Sequence, residues 1–146
     1  MMTPGFEGDR VRGHTAPAVN QRIDERTEAS LAFHSHAPPW AIRRRLADLD
    51  REWTVDRVLM ANFALVGGAM FLLAARRALG RRRLRRRPRW NGFLTGLSVQ
   101  LVFLLNQAVV GWSPPASAVR RLGFRTAREI LAERELLERL LARSRG

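Results

Sequence analysis

Two long runs of apolar residues interrupt an otherwise charged chain. Residues 58–75, VLMANFALVGGAMFLLAA, and residues 90–112, WNGFLTGLSVQLVFLLNQAVVGW, contain no charged side chain. At 1.5 Å per residue the first run makes a helix about 27 Å long and the second one of roughly 34 Å, close to the thickness of a bilayer's hydrocarbon core. The two runs therefore predict a pair of transmembrane helices.

The alternative is that both runs are core helices of a soluble bundle. Helices that are apolar on all sides need apolar neighbours to cover them, and the rest of this arginine-rich chain offers only narrow apolar stripes. Burial therefore favours a membrane, in which lipid covers both helices. Trp90 and Trp112 close the second run, as expected of residues at the two membrane interfaces.

The flanks of the apolar runs have the period of amphipathic helices. Before the first run, Ile42, Leu46, Leu49 and Trp53 share one helical stripe, although Trp53 could instead lie at the membrane interface. After the second run, Thr126 and Glu129 have the spacing of a capping box. The helix that follows should lie along the membrane or on a partner. Its apolar side is Ile130, Leu137 and Leu141, and its solvent side carries the i,i+4 pairs Arg134 with Glu138 and Glu135 with Arg139.

These patterns predict an all-α fold, in which a two-helix transmembrane hairpin over about 58–75 and 90–112 is flanked by amphipathic soluble helices. Residues 1–20 mix glycine, proline and charge and are expected to be disordered. The other predicted parts are a helical soluble flank at 21–57, the hairpin at 58–112 with a basic loop at 76–89, and a C-terminal amphipathic helix at 113–146.

Composition narrows the function classes. The 146 residues suit one domain, and 26 arginines without a lysine stand against 13 acidic residues, for a net charge of +13. The partners should therefore be anionic. Cysteine is absent, which excludes disulfides and thiolate chemistry, and the N-terminal residues lack the apolar core of a cleavable secretory signal.

The basic loop has three competing interpretations. It can be a nucleic-acid arm, which the lack of interleaved aromatic residues disfavours, a topology signal, or an anchor for anionic lipid headgroups. The last two are compatible, and the charge density of the loop favours the cytoplasm, although the flanks carry as many arginines as the loop. The six arginines assigned to lipid and topology are Arg81, Arg82, Arg83, Arg85, Arg86 and Arg87.

Small and polar residues within the spans are candidates for helix packing. Ala64 with Gly68, and Gly92 with Gly96, are small-xxx-small pairs that let helix backbones approach, although small residues are common in membrane helices generally. Gln100 lies near the middle of the second span, so we expect it to face the other helix or a second protomer. The remaining polar positions, expected to meet on one side of the bilayer, are Asn62, Asn106 and Gln107.

Neither a catalytic motif nor a metal motif is recognisable. A phosphate-binding loop, a nucleophile elbow and a dinucleotide-binding glycine pattern are all missing from the sequence. The histidines His14, His34 and His36 have no further ligand at a useful spacing. We therefore assign no enzyme activity, no cofactor and no metal.

The segment GWSPPASAVRRLGFRTAREILAER, with RIDERT and RRRLADLDREWTVDRVL, resembles bacterial inner-membrane proteins related to the YgaP-like two-helix transmembrane domain, which is sometimes attached to rhodanese sulfurtransferases. The resemblance covers about residues 22–135 and implies a membrane hairpin, self-association and sulfur-linked biology. Many relatives have cysteine in place of Ser113, so a thiol role at that position is lost, and no rhodanese domain is expected in these residues. The positions that carry it are Trp112, Pro114, Pro115, Arg120, Arg121, Leu122, Gly123, Arg125, Thr126, Glu129 and Ile130.

The resulting hypothesis is a small, multi-pass protein of the bacterial inner membrane that self-associates, with anionic lipid headgroups and an unknown protein as its other partners. The alternatives are an oligomeric pore for small anions, an accessory protein of sulfur metabolism, and an arginine-rich nucleic-acid binder.

Overall fold

The computed structural model describes residues 8–80 and 92–144, and within these ranges the regular elements are seven α-helices. The isolated backbone bridge between Thr54 and Arg125 is the one extended pairing that they contain. The predicted all-α class is therefore confirmed. The helices are α1 (Arg10–Gly13), α2 (Pro17–Ser35), α3 (Pro39–Arg51), α4 (Val55–Gly80), α5 (Gly92–Val110), α6 (Pro114–Arg121) and α7 (Ala127–Arg143).

Helices α4 and α5 form the predicted hairpin. Gln107 near the end of α5 contacts Asp56 near the start of α4, whereas Phe93 at the start of α5 stacks under the guanidinium of Arg77 near the end of α4. The two helices are therefore antiparallel. Both are long and apolar enough to cross a membrane, over Val55–Leu79 and Gly92–Val110. The first is longer than its uncharged run because polar residues at both ends continue the helix.

The flanks fold together at the open end of the hairpin, in a unit that we call the cap (residues 8–54 and 111–144). One apolar cluster joins α3 to α7, and the predicted stripe residues supply it. A second cluster packs α1 and α6 against the first turns of α4. The members of the first cluster are Ile42, Leu49, Ile130, Leu137 and Leu141, and those of the second are Val11, Val55, Leu59 and Ala116.

The apolar side of α7 is therefore covered by α3 of the same chain, so the expectation that it lies along the membrane or on a partner is wrong. Leu137 is fully buried in this contact. Trp53 does not extend the stripe, because α3 ends at Arg51 and the Trp53 side chain is 49% exposed. It lies instead beside the start of α4, with the guanidinium of Arg57 over its ring.

The expectation of disorder over residues 1–20 is wrong for residues 8–20, while residues 1–7 lie outside the described ranges. This segment contains α1, capped by the Asp9 carboxylate, and the first turn of α2, which begins at Pro17. The buried Val11 and Val19 tie the segment to the rest of the cap. A few apolar side chains are sufficient here because the cap provides a surface on which they pack.

The C-terminal flank is two helices rather than the single one predicted. Pro114 begins α6, which ends at Arg121, and Gly123 then adopts a φ of +94°, a conformation that suits glycine. Helix α7 starts with the predicted capping box, since the Thr126 hydroxyl accepts from the Glu129 N–H and the Glu129 carboxylate accepts from the Thr126 N–H. The predicted solvent-side pairs of α7 are also present.

Candidate functional site

The most polar part of the buried structure is centred on two carboxylates of α7. Glu129 and Glu133 are one helical turn apart, so both point to the same side of α7, where they are 3% and 0% exposed. A buried carboxylate is costly unless it is paired and hydrogen-bonded. Both carboxylates meet arginines from distant parts of the chain.

Glu129 is held by arginines from α1 and α6. The Arg120 guanidinium, itself fully buried, donates to both carboxylate oxygens, and its Nη2 to Oε1 distance is 2.9 Å. Arg12 donates to Glu129 Oε1 at 2.8 Å and also makes a two-bond pair with Asp24. The hydrogen bonds to Asp24, and then those to Glu129, raise the pKa of Arg12 despite its partial burial.

Glu133 is held by Arg45 of α3 and by Arg125 of the turn before α7. Arg45 donates Nε at 3.0 Å and Nη2 at 3.2 Å, and the Ser30 hydroxyl donates at 2.8 Å. Burial alone would raise the pKa of Glu133, but these hydrogen bonds, with the one from Arg125, lower it below its ordinary value. Glu133 is therefore held in its charged form.

Arg125 extends the network to the end of α3 that is next to the hairpin. It donates to both oxygens of Glu52 at 2.7 Å, and its Nη1 donates to the Thr27 hydroxyl at 3.2 Å. We call the resulting set of four arginines and four carboxylates the ion-pair cluster. Its members are Arg12, Arg45, Arg120 and Arg125 with Asp24, Glu52, Glu129 and Glu133.

The charges in this cluster balance, and its carboxylates are multiply bonded. Such a cluster fixes the relative position of helices well and moves protons poorly, because removing either charge leaves its partner unpaired in a low-dielectric site. It joins α1, α2 and α3 to α6 and α7, so its chemical role is to close the cap.

A second polar group lies where the hairpin enters the cap. Gln107 donates to the Asp56 carboxylate at 3.2 Å and accepts from the buried Ser113 hydroxyl at 2.9 Å. Asn106 donates to the Trp112 carbonyl at 2.7 Å. Asn106 and Gln107 therefore do lie at the cap end of the hairpin, but their partners are Asp56 and the 112–113 turn.

Gln100 faces the other helix, as expected. Its Nε2 makes a long hydrogen bond of 3.5 Å to the Asn62 carbonyl, and its Oε1 lies 3.1 Å from where a side chain at Gly67 would begin. Gly67 therefore creates the space for the amide. Within the described residues, Oε1 is buried without a hydrogen-bond partner.

The four predicted packing residues divide into two groups. Gly96 lies inside the hairpin, since an added Cβ would meet the Met70 sulfur at 3.0 Å. Gly68 and Gly92 have open space around them, and Ala64 is exposed. On α4 the small residue that faces α5 is thus Gly67, which sequence reasoning missed by one position, or about 100° of rotation.

Three residues of the predicted motif are buried in the cap. Arg120 and Arg125 pair there with carboxylates, and Thr126 is the N-cap residue of α7. Arg121, by contrast, is exposed. Trp112 stacks on His14, with 4.5 Å between ring centroids, and donates to Ser117. Sequence reasoning missed Arg12, Arg45 and Glu133, because Arg12 and Arg45 lie 117 and 88 positions away from their partners on α7.

The six lipid and topology arginines, 81–83 and 85–87, lie outside the described residues, as does Trp90. Among residues 8–80 and 92–144 there is no group of three or more side chains that could hold a metal ion. Comparison of the chain with protein-family models, with curated proteins and with solved structures finds no match.

Proposed function

We propose that this chain is a small, multi-pass protein of the bacterial inner membrane, whose hairpin anchors the folded cap and binds a second copy of itself. The observation that carries the proposal is the exposure of the two apolar helices. Only 17% of the apolar window of α4 and 0% of that of α5 is buried by the rest of the chain. A core helix of a soluble protein would be mostly covered.

The dimensions of the hairpin support insertion into a bilayer. Helix α5 has 19 residues, about 28 Å, and α4 has 26 residues, about 39 Å, against a hydrocarbon core of roughly 30 Å. The cap does not supply the missing cover, since it packs only against the first turns of α4 and leaves most of both helices exposed. The arginines between the spans would then meet anionic headgroups, and their density favours the cytoplasmic side.

Self-association is supported by the outer surface of the hairpin. Ala64 and Gly68 leave a small-residue face on α4 to which another helix can come close. Beside it, an open groove of about 330 Å³ contains Gln100 as its one polar lining residue. Such an apolar lining suits contact with another helix. It does not suit the passage of an anion, which the pore alternative requires. The groove is lined by Met60, Phe63, Ala64, Leu97, Gln100, Leu101 and Leu104.

Fractionation of cell membranes tests the insertion. An integral protein stays in the pellet after washing with alkaline carbonate and high salt, whereas a protein bound to nucleic acid or headgroups by charge alone is released. We expect the chain to remain in the pellet. Release of most of it by high salt would contradict the proposal and favour the nucleic-acid alternative.

Crosslinking in native membranes tests the self-association. Gly68→Leu should weaken a crosslinked dimer without disturbing the hairpin, because nothing lies within 4 Å of an added Cβ there. Ala69→Leu is the matched control, since it adds a similar side chain on an exposed, neighbouring face of α4. A chain that is monomeric in its unmodified form, or a dimer that both variants weaken equally, would contradict the proposed interface.

A further inference from the structure

A polar recess in the cap, separate from the hairpin groove, contains a positive charge that the ion-pair cluster does not neutralise. Its volume is about 230 Å³, against roughly 30 Å³ for one water in the liquid. It therefore has room for a phosphate group. Its lining comes from α2, α3 and the turn between α6 and α7: Ile23, Arg26, Thr27, Arg45, Glu52, Gly123 and Arg125.

The charge balance of the recess leaves one cation in excess. Arg125 is paired with Glu52, and both Arg125 and Arg45 are paired with the buried Glu133 beneath. Arg26 is the additional arginine, and within residues 8–80 and 92–144 its side chain makes no ion pair or hydrogen bond. The recess as a whole therefore carries about one net positive charge.

Gly123 keeps the recess open. A Cβ at this position would lie 3.2 Å from Arg26 Nη1, and the φ of +94° already disfavours other residues. On the opposite side, Arg45 uses Nε and Nη2 for Glu133, so its Nη1 is not engaged in that pair. The recess is therefore lined by two arginines that have donors outside these pairs, and guanidinium donors are well suited to phosphate.

The position of the recess relative to the start of α4 indicates the source of such an anion. The Val55 N–H, at the first residue of α4, donates to the Arg125 carbonyl at 3.0 Å, and Glu52 lies three residues before α4 begins. The recess is therefore next to the point where the chain passes from the cap into the apolar span. At this level a bilayer presents phosphodiester groups, each with a single negative charge.

We infer that the recess binds a singly charged phosphodiester of an anionic lipid headgroup through Arg26 and Arg45. The anion site follows from the cap alone, whereas its lipid source rests on the proposed membrane insertion. Inorganic phosphate shares the chemistry and is the soluble alternative source.

The experiment uses the full chain in uncharged detergent micelles, titrated separately with short-chain phosphatidylglycerol and with inorganic phosphate. Binding is followed by native mass spectrometry and by the rise in melting temperature. Arg26→Gln should weaken phosphatidylglycerol binding by about tenfold or more, the effect expected for the loss of a charged hydrogen bond. Arg26→Lys should recover part of this loss.

Arg22→Gln is the matched control, because Arg22 is also exposed, lies one turn earlier on α2 and carries the same charge. It should leave binding unchanged. Phosphate binding with the same Arg26 dependence would keep the site and make its ligand a soluble anion. Binding that is insensitive to Arg26→Gln, or is reduced equally by Arg22→Gln, would overturn the site. Release from membranes by carbonate would instead contradict the insertion, and the phosphate titration would still decide the site.

Discussion

Replacing Glu133 by glutamine tests whether the ion-pair cluster closes the cap. The substitution keeps the shape of the side chain but leaves Arg45 and Arg125 without their shared counter-charge. Removal of one partner from a buried ion pair costs about 3–5 kcal/mol. Since the Arg45 side chain is 27% exposed and keeps part of its hydration, we expect the lower end of this range, about 3 kcal/mol.

Thermal unfolding of the purified protein in uncharged detergent, followed by circular dichroism at pH 7, measures this loss. For a chain of 146 residues, a loss of about 3 kcal/mol lowers the melting temperature by roughly 6–12 °C. Glu138→Gln is the control on the same helix, because its pair with Arg134 is exposed to solvent and contributes little to stability. If Glu133→Gln were no more destabilising than Glu138→Gln, the cluster would not be what holds the cap together.

The pH dependence gives an independent check. The pKa of Glu133 is lowered in the folded chain from its ordinary value of 4.5, so its contribution to stability is complete above that pH. The contribution is lost as the pH falls through the lower folded value. The difference in melting temperature between the unmodified protein and Glu133→Gln should therefore be constant from pH 7 to about 5 and shrink below 4.5. A difference that grows on acidification would refute the assignment.

Three further substitutions test other parts of the structure. Thr126→Ala removes the N-capping hydroxyl of α7 and should lower the free energy of unfolding by about 1–2 kcal/mol in the same thermal assay. Ala127→Ser is the comparison, because it changes the next residue and leaves the Thr126 hydroxyl in place. Gln100→Leu should leave the hairpin as stable or more stable, since it removes an unpaired buried oxygen and one long hydrogen bond; a loss above about 1 kcal/mol would contradict this. With a membrane-impermeant thiol reagent on intact cells, Ser144→Cys should react and Leu84→Cys should not, and the reverse would place the loop outside.

The sequence predicted those features that depend on neighbours along the chain. The hairpin, the α7 capping box, the stripe of Ile42 and Leu49 and the i,i+4 pairs are all set by local spacing, and the structure contains each of them. The tertiary ion pairs could not be predicted in this way. Arg12 and Glu129 are 117 positions apart, and nothing in either segment specifies the other among 26 arginines and 13 acidic residues.

The rotation of α4 about its own axis was the second feature that the sequence did not predict. Gly67 and Gly68 are adjacent, and the small-xxx-small spacing with Ala64 selected Gly68, but α5 packs against Gly67. At its first turns α4 turns Val55 and Leu59 towards the cap, which buries both. This contact involves α1 and α6, so the face that α4 turns towards α5 depends on residues outside the hairpin.

The position of α7 after both spans has a consequence for biosynthesis. The ribosome delivers Arg12 and Arg45 before the spans, and Glu129 and Glu133 after them. Asp24 and Glu52 also precede the spans, and Arg120 and Arg125 follow them, so each side of the hairpin supplies two arginines and two carboxylates to the cluster. The pairs of Arg12 with Glu129 and of Arg45 with Glu133 can nevertheless form only after α7 has been synthesised, so closure of the cap is a late step in the folding of the chain.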